Sequence, residues 1–182
     1  YYIAFTLMSI FSLLSGCLIY KSESFDYCNL ICKETLEIIC SSEFTKIFIM
    51  FFKSELIYFL LTFFIGTSLI GMPMCIIPVL IKCVMIGYFS SYMYCEYELK
   101  GILFCLVLIY PVAIITTASM IYAASESVYM SKYIYRAVIK KNTADNMSVR
   151  LYLIRYSILL LVNIVCIAIS TILINFLINK FN

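Results

Sequence analysis

Histidine and tryptophan are both missing from the 182 residues, and only 13% of the chain is charged. Without histidine the chain lacks the side chain that most readily moves protons near neutral pH, and it cannot complete a mixed Cys/His zinc site. The charge content is about half that of a soluble domain, whereas 64% of residues are hydrophobic and the mean hydropathy is +1.04. These scarcities exclude a soluble fold, whose core could not hide so much apolar surface. Helix breakers are also few: there are three prolines and five glycines, and all but Gly16 fall between Gly66 and Pro111. No glycine-rich phosphate loop is present, which argues against nucleotide hydrolysis by this chain.

What remains is a series of long apolar runs. A transmembrane helix needs about 20 apolar residues to cross roughly 30 Å of hydrocarbon. The expected fold is therefore all-α, a single polytopic membrane helix bundle over 1–182 with about five transmembrane helices, near 3–20, 56–70, 74–93, 101–123 and 152–178. Gly71-Met72-Pro73 alone joins the second span to the third, and Pro78 removes a backbone donor one turn into the latter. This pair reads as a broken or re-entrant central hairpin. Irregular backbone at membrane depth survives only under a cover of protein or water, so the hairpin belongs inside the bundle.

The connecting loops differ in charge. Residues 125–155 carry Lys132, Arg136, Lys140, Lys141, Arg150 and Arg155 against Glu126 and Asp145. Residues 21–55 carry four lysines against Glu23, Asp26, Glu34, Glu37, Glu43 and Glu55, and the next such loop has Glu96 and Glu98 with Lys100. Basic loops stay on the cytoplasmic side, so the N-terminus is expected in the cytoplasm and the C-terminus outside. Leu14-Ser15-Gly16-Cys17 has the form of a bacterial lipoprotein processing site, but Leu18, Ile19 and Tyr20 keep the run apolar, which favours an uncut first span. The chain does not begin with Met and is expected to be a piece of a longer protein.

The outer loop 21–55 is expected to be amphipathic and helical. Cys28, Ile31, Cys32, Leu36 and Ile39 recur at helical spacing. A second stretch, with Phe44, Ile47, Phe48, Phe51 and Phe52 on one side, is expected to lie on the outer leaflet ahead of the second span. Either a helical elbow covering the bundle or a partner-docking surface fits this pattern. On the inner side the fourth helix is expected to run on past Ala123, with Lys132, Arg136 and Lys140 as a basic stripe facing anionic lipid or a protein.

Nine cysteines are present. Cys75, Cys83, Cys105 and Cys166 lie in apolar runs and read as small hydrophobes. Cys28 and Cys32 are one helical turn apart, but two thiols are too few ligands for a metal site, and no metal or cofactor is expected. Glu96 and Glu98, two apart, point in different directions on a helix and do not converge as acid and base. With no carboxylate inside the apolar spans as drawn, an enzyme is not expected, nor is a nucleic-acid partner. Lys82 is the buried charge to account for, because a lysine at mid-bilayer costs roughly 2.5–3.5 kcal/mol on insertion scales. With no acidic partner in the spans, it reads as structural: snorkelling, facing a wet groove, or meeting carbonyls freed by Pro78. Close packing is expected along Cys83, Gly87 and Ser91 and along Thr116, Ser119, Ala123 and Ser127, with Asn163 and Asn175 adding polar contacts, within the chain or in a homo-oligomer.

One block resembles a known family. Gly66-Thr67-Ser68-Leu69-Ile70-Gly71-Met72-Pro73, then Ile81-Lys82 and Gly87-Tyr88, is similar to the centre of stage II sporulation protein M, and Glu98-Leu99-Lys100-Gly101-Ile102-Leu103-Phe104 followed by Pro111 continues the likeness. The structural motif this implies is Gly66, Gly71, Pro73, Pro78, Lys82, Gly87, Gly101 and Pro111. The resemblance further implies a non-enzymatic protein of the cell membrane that anchors a peptidoglycan amidase and a lytic transglycosylase, stage II sporulation proteins P and D, during septal wall remodelling and engulfment. The alternative from another class is a permease subunit of an ABC-type exporter, with Lys82 and Pro78 lining the path.

Overall fold

The computed structural model describes residues 2–22, 26–40, 43–68, 71–139 and 149–181, and these are helical nearly throughout. Helix α1 spans Tyr2–Ser22, α2 Asp26–Cys40, α3 Phe44–Gly66, α4 Gly71–Met74, α5 Ile77–Phe104, α6 Tyr110–Ile139 and α7 Val149–Phe181, with a π-helical turn at Cys105–Ile109. Among the described residues, four stretches are long and apolar enough to cross a membrane: Tyr2–Lys21, Phe44–Gly66, Gly71–Ala137 and Val149–Phe176. The third makes two passes. At Glu98 the backbone leaves the helical region, with φ 50° and ψ −131°, and the chain doubles back so that Lys82 on α5 bonds Thr116 on α6. Five passes result.

Several boundaries differ from those the sequence suggested. Instead of a surface helix followed by a short span over 56–70, α3 is one unbroken helix of 23 residues. No glycine or proline interrupts it before Gly66, and its charges do not stop it: Lys46 pairs with Glu43 at the helix start, and Glu55 is neutralised inside the bundle. Leu69 and Ile70, drawn as the end of that span, lie outside the described residues. The central hairpin takes the broken form. The four-residue α4 and a turn at Cys75 and Ile76 separate two full-length legs, with Pro78 in the first turn of α5, where its missing N–H has no helical partner to lose. The 125–155 segment is mostly helix, since α6 runs to Ile139 and α7 begins at Val149; Lys140, Lys141 and Asp145 lie outside the described residues.

Proline also explains the π-turn. Pro111 has no N–H and its ring collides with the carbonyl four residues earlier; the helix widens ahead of it, and Tyr110 N–H reaches back to the Cys105 carbonyl.

Without a hydrophobic force between helices in lipid, contact area and interhelical hydrogen bonds hold the bundle. Helix α1 lies along α5 at backbone distance: a Cβ on Gly16 would land on the Val84 carbonyl, and one on Gly87 on the Leu13 carbonyl. Ser12 Oγ donates to the Leu80 carbonyl at 2.7 Å across the same seam. Helices α3, α6 and α7 form the other half. There Tyr156 Oη donates to the Phe59 carbonyl at 2.7 Å, Ser127 Oγ and Tyr152 Oη lie 3.0 Å apart, and Phe63 stacks on Tyr152. Asn163 Nδ2 donates to Ser119 Oγ at 2.7 Å. Every buried side-chain nitrogen or oxygen among the described residues has a partner. Meanwhile Ile3, Phe11, Leu18, Phe64, Leu103, Ile114 and Leu161 face outward, as side chains solvated by lipid should.

Candidate functional site

The centre of the bundle holds an ion pair. Glu55 stands at the middle of α3, and its carboxylate lies 2.6 Å from Lys82 Nζ on α5. The same ammonium donates to Thr116 Oγ1 on α6 at 2.9 Å. Side-chain exposure is 7% for Lys82 and 15% for Glu55. Three helices thus meet at one charge, which neither snorkels nor relies on carbonyls near Pro78. Sequence reasoning missed Glu55 because it was drawn one residue outside the second span. The signal was the unbroken apolar run behind it, which carries the helix back to Phe44.

Beside this pair lies a cavity of about 210 Å³ between α2, α3, α5, α6 and α7. Most of its wall is apolar, from residues such as Phe51, Met85, Phe89, Leu108 and Ile174, and Thr35 and Ile39 of α2 close one end. Helix α2 is held over the bundle by its buried face, Cys32 and Ile39, and by Asn29, whose Oδ1 accepts from Tyr88 Oη at 2.9 Å. Burial among Tyr88, Tyr92 and Met93 pushes the Cys32 thiol up to about 12, with the Cys28 thiol a smaller contributor.

A second pair escaped the sequence. Buried Glu126 on α6 receives hydrogen bonds of 2.9 and 3.1 Å from Arg155 Nη1 on α7, whose side chain is half exposed. By sequence alone both fall among the charges of the 125–155 connection.

The other motif residues are dispersed. Gly66 and Gly71 are buried at the α3–α4 turn, where a Cβ would meet Ser127 and Tyr152 in one case and the Ile65 carbonyl in the other. Ser131 Oγ donates to the Ser68 carbonyl at 2.9 Å to tie this turn to α6. Pro73 is exposed on α4, Pro78 is buried, and Pro111 is exposed. Gly101 lets the chain fold back beside the Met93 carbonyl, which a Cβ would strike. Only Lys82 among the eight lines the central cavity. No three His, Cys, Asp or Glu side chains among the described residues stand close enough to hold a metal ion.

Fold and composition define a multi-pass membrane helix bundle braced by a buried ion pair. The family model for stage II sporulation protein M matches residues 3–175, and the chain belongs to that family, which is a sporulation-related membrane family and not a known enzyme family. No curated protein and no solved structure matches it.

Proposed function

We propose that this protein is a non-enzymatic membrane anchor for peptidoglycan-degrading partners, a peptidoglycan amidase and a lytic transglycosylase (stage II sporulation proteins P and D), during septal wall remodelling and engulfment. Family membership over nearly the whole chain carries the reading. The charges support it: Glu55 and Glu126 are each engaged by a separate cation, Lys82 and Arg155, so they do not converge as an acid and base pair on one substrate.

In this reading the N-terminus is cytoplasmic and the C-terminus outside, with α2 and the Glu98 reversal facing the wall. The basic residues around the α6–α7 connection support that orientation.

The test is affinity capture of the full chain from sporulating cells, combined with its deletion. Recovery of both hydrolases, with engulfment blocked and the hydrolases folded but delocalised in the deletion strain, supports the anchor. Recovery of an ATPase whose turnover rises on binding would replace it with the exporter permease, although Pro78 is not part of the cavity wall.

A further inference from the structure

The central cavity pairs two unlike surfaces. Its wall is largely apolar, yet level with the middle of α3 it carries Lys82, Glu55 and Thr116. Among the described residues no ionisable side chain other than these and the Tyr58 phenol lines it, so their formal charge sums to zero once Lys82 and Glu55 are paired. A guest with a net charge would bring an uncompensated ion into a low-dielectric interior, which is strongly unfavourable. A guest without polar atoms would leave hydrogen-bonding capacity unused: the three donors of the ammonium meet both Glu55 oxygens and Thr116 Oγ1, whereas a carboxylate accepts at about four lone-pair sites, of which Lys82 takes two. A hydroxyl supplies a neutral donor for a spare Glu55 lone pair without adding charge. An engineered apolar cavity of roughly 150 Å³ binds benzene; about 210 Å³ therefore takes a ring or a short hydrocarbon chain rather than a whole phospholipid.

We propose that this cavity is a binding site for an uncharged hydrophobic alcohol drawn from the bilayer interior, its hydroxyl donating to Glu55 and its apolar body against Met85, Phe89 and Leu108. The site stands on the cavity and the ion pair and is independent of the anchoring function.

The test is photolabelling of the full chain in phosphatidylcholine vesicles with a diazirine-bearing octanol, mapped by mass spectrometry. Labels should concentrate on cavity residues, and unlabelled octanol should compete at least tenfold better than octanoate or octane. Equal competition by octane, preferred competition by octanoate, or labels spread over the lipid-facing residues Leu106 and Ile114 would overturn the proposal. Ala113→Phe, which fills the cavity from α6, should cut cavity labelling at least fivefold. In the neutral double variant Lys82→Met with Glu55→Leu, octanol should lose its advantage over octane. The wild-type competition decides the matter even if either variant fails to fold.

Discussion

Lys82 and Glu55 are 27 residues apart in sequence, and their side chains meet at 2.6 Å between the two legs of the central hairpin. Removing one partner of a buried pair leaves an uncompensated charge, whereas removing both leaves none. Lys82→Met or Glu55→Leu alone should each destabilise the bundle by about 3–5 kcal/mol. The double variant should recover most of that loss. Thermal unfolding of the four proteins in one detergent measures the cycle; additive losses would show that the pair does not act as a unit.

Gly87 faces the α1 backbone with no room for a Cβ. Gly87→Leu should force α1 off α5 and cost at least the 1–3 kcal/mol typical of overpacking, seen as a lowered melting temperature and new protease sensitivity in α1. Unchanged melting would place the α1–α5 seam elsewhere.

Glu98 is the one non-glycine residue with positive φ among the described residues. Strained backbone of this kind costs about 1–3 kcal/mol, and the side chain is exposed. Glu98→Gly should therefore raise the melting temperature, while Glu98→Val should lower it.

Burial holds the Cys32 thiol protonated, its value moving from 9.0 to about 12. A maleimide at pH 8 should label exposed Cys95 quickly and Cys32 at least tenfold more slowly; comparable rates would mean that α2 is not docked. The sign of the linkage follows. Because the folded value lies above the unfolded one, folding keeps the full contribution of this thiol below pH 9 and loses it as pH rises from there through about 12. Near neutral pH, Cys32→Ser should leave no pH-dependent change in stability.

Asn163 and Ser119 bridge α7 and α6, and Ser119 Oγ also donates to the Thr116 carbonyl at 2.8 Å. Interhelical bonds of this kind are worth about 0.6–1.7 kcal/mol. Asn163→Leu and Ser119→Ala should show a coupling in that range by a double-mutant cycle; zero coupling would mean that the contact adds nothing.

The class of fold was readable in the sequence because the bilayer imposes one requirement, long apolar runs, on every pass. Packing faces were readable for a similar reason. Gly87 is small where α1 approaches, and Thr116, Ala123 and Ser127 are buried. The central pair was not. Glu55 follows Lys53 in a stretch that looks like the rim of a surface helix, and only the tertiary meeting of α3 with α5 gives that carboxylate a reason to enter the membrane. Glu126 was hidden for a related reason: it lies just past the apolar run, among the charges that set the orientation, and its partner Arg155 sits on another helix.

Helix α1 is bound to a segment made much later. Ser12 waits for Leu80, which is 68 residues away, and at roughly 5–20 residues per second that gap is about 3–14 s of synthesis. Throughout the interval the groove formed by Gly16 and its neighbours has no mate, and α2 and α3 must pass through the insertion machinery first. The order of biogenesis thus leaves α1 in need of shelter until α5 is made, so a defect in that shelter should appear as a loss of the α1 pass rather than as a misfolded core.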